Sequence, residues 1–425
     1  MPGASRSPQP GKAGASRRLC RWKVRFYILT GLFTTHTCCE VVEVYDLLVK
    51  GGIAVDPSHG LHAARDIAIT RGIIEAVEKD ISSDQAREVI DASGLLVTPG
   101  LIDIHVHVYP GVSHYGIDAD THSLAQGVTT VLDAGSAGAD TFEGFRRYVV
   151  NVSDTRIYAF LNISTLGMIS PRVGELEDLR YADVEKAVEV IERNRDVIQG
   201  VKVRMSRNVV GENGLQPLLL AKRAAEAVKM PMMVHFGNTP MPLADILGEM
   251  RRGDLLTHCF HGLEHGILND EGHVRDTVRD AIKCGVHLDV GHGRGSFSFD
   301  VAEHALAEGV EPHTISSDLH HYNVFGPVYS LATTVSKFLY LGLSVDEALA
   351  KVTAAPAKLL GIDETLGTLR PGSIADMSLF ELQKGAFTFR DTVGKSVQGN
   401  QLLTPTTVVK GGTVYAGRPR LLGRG

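Results

Sequence analysis

The stretch VTPGLIDIHVHV, residues 97–108, decides the fold. Pro99-Gly100 is a turn signal, and the apolar run after it has the texture of a buried strand. The run ends on His105 and His107, two residues apart, so a strand places both imidazoles on one face. Strand-like runs of the same kind recur downstream: VTTVLDA (128–134), IYAFLNI (157–163), GVKVRM (200–205), PMMVHF (231–236), LLTHCF (255–260), VHLDVG (286–291) and HTISSD (313–318). Helical patterns fall between most of them, as in YADVEKAVEVIERNRD (181–196) and GLQPLLLAKRAAEAV (214–228). After the eighth run come two more helical stretches, at 326–342 and 344–361. Eight strands alternating with helices favour a closed parallel barrel over an open sheet. The predicted fold class is therefore α/β, a (β/α)8 TIM barrel.

The flanks read differently. Residues 45–57, 65–81 and 86–100 alternate apolar and polar positions between Gly-rich turns, and residues 367–382 and 406–420 share that texture. The two ends are expected to pair into one small β-sandwich domain. The predicted boundaries are a basic extension over 1–43, the β-sandwich from 44–99 plus 360–425, and the barrel from 100–359. Neither a solenoid-type repeat nor a long low-complexity tract interrupts this plan.

Bulk properties agree. The chain has 425 residues, 44% hydrophobic and 22% charged, enough for a large core and a smaller satellite. The formal net charge is −6, which argues against a nucleic-acid binder. Seven bases and no acid precede Glu40, so the rest of the chain carries −13. The run 26–33 inside that basic start is too short to span a bilayer, which takes about 20 apolar residues. It reads as a disordered extension or a targeting segment. Of five cysteines, only Cys259 and Cys284 lie in the body, so no disulfide framework is expected and the cytoplasm is the expected compartment.

In a parallel barrel the functional side chains sit at the C-terminal ends of strands. Polar residues that interrupt the apolar runs there form one set: His105, His107, Lys202, His235, His258 and Asp318. A pair of neutral imidazoles on one strand can chelate a metal ion. A lysine that faces an apolar interior tends to be neutral, and a neutral amine can form a carbamate able to bridge two cations. Strand alternation alone leaves Lys202 equally able to face outward between Val201 and Val203. His235 and His258, taken singly, read as core histidines, and Asp318 as a helix cap. Together they make a site in which two cations, bridged by the carbamate and a hydroxide, lower the pKa of that water. The hydroxide attacks a polarised carbonyl, and Asp318 passes the proton to the leaving group.

VTPGLIDIHVHV, GVKVRM, MVHFGN, LTHCFHG and TISSD, in that order, resemble the amidohydrolase superfamily, in its deacetylase-like branch near the dihydroorotases. The likeness extends over residues 44–415, with 66–81 and 367–382 similar to the family's flanking β-domain. It implies a binuclear metal centre, usually zinc. By position it makes His105 and His107 ligands of the more buried metal, Lys202 the N6-carboxylysine bridge, His235 and His258 ligands of the more exposed metal, and Asp318 both ligand and catalytic acid/base. It implies hydrolysis of an amide or ester bond in a small acylated, typically acetylated, carboxylic acid. A cyclic-amide hydrolase and a non-catalytic scaffold of the same fold stand as alternatives. Loop residues offered for substrate are Arg172, His261, His292 and Arg294, with His114, Tyr115, Asn208 and Asn323 nearby in the chain. An arginine there suits bidentate capture of a carboxylate. The expected partners are a small-molecule substrate and, in a homo-oligomer, copies of the same chain, with neither nucleic acid nor membrane.

Overall fold

The computed structural model describes residues 44–419 in full and, ahead of them, the backbone of β1 (Leu19–Leu29) and β2 (Leu32–Val42), which pair antiparallel. The expectation of a disordered or targeting extension over 1–43 lies outside the fully described residues. Then come β3 (Tyr45–Asp56), β4 (Leu61–Thr70), β5 (Ile73–Glu78), β6 (Ala86–Asp91) and β7 (Leu96–Pro99). The middle of the chain supplies β8 (Leu101–Val106), β9 (Val128–Gly138), β10 (Arg156–Asn162), β11 (Ile198–Arg204), β12 (Met232–His235), β13 (Leu255–Thr257) and β14 (His287–Asp289). The chain ends with β15 (Met377–Arg390), β16 (Ser396–Lys410) and β17 (Thr413–Ala416).

The fold is mixed α/β. Strands β8 to β14 form one parallel sheet in sequence order. Their residues are buried almost throughout, as parallel strands covered on both faces must be. The helices between them bury one stripe each. Val184–Arg193 is capped by Asp183, whose carboxylate accepts the Lys186 N–H at 3.0 Å, and it buries Ala187 and Ile191. Gln216–Val228 starts with Pro217 in its first turn, where no N–H is needed, and stops at Lys229 in the left-handed conformation. Inside the sheet, Ile102, Ile104, Leu132, Phe160, Met233 and Leu255 belong to a separate buried cluster, on which the Lys202 side chain rests through Met233. Each such side chain contributes roughly 1.5–3 kcal/mol relative to exposure.

The eighth predicted strand takes a different form. Residues 313–318 make isolated parallel bridges rather than a ladder: Thr314 opposite Asp289 of β14, and the adjoining Leu319 opposite Val106 of β8. These bridges join the two edges of the parallel sheet. The segment's backbone still bonds to its neighbours, with the Val290 N–H donating to the Thr314 carbonyl at 3.2 Å and the His292 N–H to the Ser316 carbonyl at 3.1 Å, and side chains add to this. Thr314 and Ser316 donate to the Asp289 carboxylate at 2.8 and 2.7 Å, and the Ser317 N–H donates to Asp103 at 3.0 Å. Asp318 then adopts φ +48°.

The two chain ends do pair, as their texture suggests. β15 runs antiparallel to β7, and β7 runs parallel to β3. The hydrogen bonding, however, connects β17-β16-β15-β7-β3-β4-β5, with β6 on β3, as one eight-stranded sheet rather than as two separately bonded layers. Among the described residues no helix is long and apolar enough to cross a membrane.

Candidate metal centre

β8 delivers His105 from within its last turn of pleat, and His107 follows directly after its end; both are buried. The His105 Nδ1–H donates to Thr257 Oγ1 at 2.8 Å, because the Thr257 hydroxyl itself donates to Asp289 at 2.7 Å. That relay leaves the lone pair on His105 Nε2, and such orientation of an imidazole is what a metal site requires of its surroundings. His107 is held the same way, with Nδ1 at 3.0 Å from Ser136 Oγ.

Lys202, in β11, is fully buried. Its Nζ lies 3.3 Å from His105 Nε2 and 3.2 Å from Met233 Sδ, so the side chain points inward among the histidines. Room for it comes from Gly135 of β9, at φ +90°; a Cβ there would stand 2.7 Å from Lys202 Cγ. Burial pushes the Lys202 amine down to about 7, against the pull of Asp318 and Asp289. The neutral, nucleophilic form is therefore accessible near neutral pH.

His235 ends β12 and His258 follows β13. His258 donates from Nδ1 to the Gly291 carbonyl at 2.6 Å, which turns its Nε2 lone pair toward His235 Nδ1, 2.7 Å away. Asp318 closes the group: Oδ1 is 3.1 Å from His107 Nε2 and 3.5 Å from His105 Nε2. Its backbone is pinned by Asn323, whose amide donates to the Asp318 carbonyl at 2.7 Å. One ligand atom each from His105, His258 and Asp318 lie within 4.8 Å of one another. Burial pushes His107 down to about 3 and His258 to about 4, and lowers His105 and His235 as well. Four desolvated neutral imidazoles, an amine that loses its proton easily and a carboxylate form a donor set suited to divalent metal ions.

A cavity of about 420 Å³ opens onto this group. Of the loop residues predicted for substrate, Arg294 lines it, with its guanidinium 5.9 Å from the Tyr322 ring. The other three turn elsewhere. Arg172 is exposed, although its neighbour Pro171 lines the cavity. His261 packs edge-on to Phe236 and faces a separate small cleft, its Nε2 without a partner among the described residues. His292 stacks on Phe297, and its Nε2 is 2.6 Å from Lys337 Nζ. Asn208 is exposed and outside the cavity, whereas His114 and Tyr115 line it.

Sequence reading missed Arg204, His320 and Tyr322, which line the cavity, and Glu175 behind them. Arg204 is held bidentately by Glu175 at 2.6 and 2.8 Å and lies over the Tyr115 ring. The carboxylate beside it raises its pKa further, against the effect of burial. A signal for Arg204 was present: it lies two residues after Lys202 in one strand, hence on the same face. His320 and Tyr322 carry no such periodic signal, because they lie in a loop.

Comparison with known proteins places this geometry. Residues 96–415 match the model of the amidohydrolase family. A deacetylase from Brucella anthropi is 37% identical over 355 residues, covering 82% of this chain and 87% of that protein. A crystal structure of a dihydroorotase superposes with a TM-score of 0.83 at 35% identity, covering 89% of this chain and 99% of the other. A crystal structure of an adenine deaminase gives 0.81 at 37% identity, with coverages of 88% and 100%. The chain belongs to the amidohydrolase family, in a deacetylase-like branch near the dihydroorotases.

Proposed function

We propose that the chain is a metal-dependent hydrolase that cleaves the amide or ester bond of a small acylated carboxylic acid, typically acetylated. We read its parallel sheet as a (β/α)8 barrel over residues 100–359, with the terminal segments forming the β-domain. The observation that carries the reading is the convergence of His105, His107, Lys202, His235, His258 and Asp318 at one end of the sheet, beneath a cavity edged by cations.

His105 and His107 would hold one divalent ion, His235 and His258 a second, with Lys202 as its carbamate between them and Asp318 on the first. Bound there, the ions, zinc in the first instance, supply an acidified water and polarise the scissile carbonyl. The chain's own residues do the rest. Thr257, Ser136 and the Gly291 carbonyl fix the imidazole tautomers, so the ring nitrogens meet their target without reorganising. Asp318, at the cavity floor, takes the proton from water and returns it to the leaving nitrogen or oxygen. Arg294 sits at the mouth, where a fork of donors matches the substrate carboxylate. Tyr115, Met168 and Pro171 line the walls and limit the size of the acyl acid that enters.

Metal analysis joined to a substrate panel tests the reading. Purified protein should contain close to two divalent ions per chain and hydrolyse N-acetyl or O-acetyl carboxylic acids in preference to dihydroorotate, hydantoins and adenine. Preference for a cyclic amide or for adenine overturns the substrate assignment. Protein that holds almost no metal, even after zinc and bicarbonate are added, overturns the centre itself.

A further inference from the structure

The opposite end of the parallel sheet carries a second group of charged residues that plays no part in this chemistry. Two clefts of about 570 and 800 Å³ lie there and share His287, at the start of β14, and His313, at the start of the bridging segment. The two rings stack with centroids 4.1 Å apart. Around them stand Arg252 and Lys229, from two connections of the chain, and Lys358, from the helix Ala354–Leu359.

Four carboxylates also line the clefts, as do two further cations, Lys351 and Arg251, and each carboxylate has a partner. Glu311 pairs with Lys351 at 2.9 Å, and Glu226 faces Arg251 at 3.6 Å. Asp254 accepts the backbone N–H groups of Met232 and Arg251 at 2.8 and 2.7 Å. Glu347 closes the capping box of its own helix with Ser344. Among the described residues no carboxylate lies within ion-pair distance of Arg252, Lys229 or Lys358. Arg252, Lys229 and Lys358 thus line one cleft without a carboxylate partner among the described residues, on a chain whose net charge is negative. Like charges so arranged repel one another and attract an anion of matching multiplicity.

We propose that this cleft is an anion-binding site for a small phosphate-bearing molecule, held by Arg252, Lys229 and Lys358 against the His287–His313 pair. Arg252 presents the planar fork that suits phosphate oxygens, and the lysines supply point charges. The imidazoles add a titratable response. His313 is pushed down to about 4, first by burial and then by His287, Lys351 and Lys358. His287 is lowered by burial and by Arg252. A bound phosphate reverses the local field, so it favours the imidazolium forms and raises both values; Glu311 and Glu347 are the acidic groups that face the pair from neighbouring elements.

The test is titration of the intact, metal-loaded protein with inorganic phosphate, at ionic strength matched with chloride, alongside the double variant Arg252→Gln/Lys358→Gln. Both substituted residues are exposed and far from the centre, so thermal stability and hydrolysis should be unchanged. Calorimetry should show saturable phosphate binding to the wild type, weakened about tenfold or more in the variant. The His313 ring resonance should titrate at higher pH when phosphate is present, and this shift should vanish in the variant. Equal phosphate affinity in both proteins, or no saturation and no His313 shift in the wild type, overturns the site.

Discussion

At the scale of single residues, the candidate centre depends on burial. Removing a charged amine or imidazole from water costs free energy, and here that cost is met by leaving the groups neutral, with lone pairs available for metal. Lys202 shows the point most clearly, because among the described residues it reaches the centre with no carboxylate as its direct hydrogen-bond partner. Lys202→Ala should lose at least one metal per chain and most activity, and a short-chain carboxylic acid added in solution should restore part of both. Full activity in that variant would remove the bridge. Asp318→Asn keeps an oxygen near the site but cannot take a proton. Its metal content should stay near that of the wild type, while turnover falls roughly 10²–10⁴-fold, the usual worth of a positioned general base. Turnover within a few-fold of wild type would take Asp318 out of that role.

At the scale of elements, glycines let strands and loops close around these side chains. Gly135 lies within β9 where the Lys202 side chain from β11 packs against it. Gly293, at φ +56°, lies so close to Asp318 that a Cβ would stand 2.5 Å from its Oδ2. Gly135→Ala should therefore lower stability by roughly 1–3 kcal/mol, as overpacking does. It should also displace the lysine, so reduced metal content should accompany a lower melting midpoint. Gly293→Ala strains a loop rather than a strand. It should leave the melting midpoint closer to wild type and act mainly on turnover; measuring both quantities on both variants separates the two effects. Wild-type metal content in Gly135→Ala would show that Lys202 does not depend on that gap.

At the scale of the whole molecule, the parallel sheet and the terminal sheet share one apolar core, into which Leu96, Phe380, Phe389, Val397 and Leu403 pack, and polar contacts add a further tie. Arg156 of β10 reaches Asp376, just ahead of β15, at 2.5 Å, and Asp376 also accepts the Gly411 N–H at 2.8 Å. Arg156→Ala leaves that buried carboxylate without its cation. It should cost about 1–3 kcal/mol, read as a shift in the denaturant midpoint, with the metal centre intact until the sheets part. An unchanged midpoint would show that the tie contributes nothing.

The sequence by itself determined the alternation of strands and helices, the β texture of the two chain ends, and the positions where polar side chains end apolar runs. Those features follow from periodicities of two and 3.6 and from chain order, which are local properties. The same locality explains why His105, His107, Lys202, His235, His258 and Asp318 were legible together: each terminates or interrupts a strand run at the same end. Only the tertiary structure decided which way Lys202 points, that the eighth segment joins the sheet through bridges from Thr314 and Leu319, and which loop residues face the cavity. His292 turns away because Lys337 lies beside it, itself held by the carbonyls of Pro327 and Arg390 from distant parts of the chain. His320 and Tyr322 turn inward because their loop packs on Tyr115 and His107. Loop side chains take their direction from such non-local contacts, and no spacing within the loop encodes them.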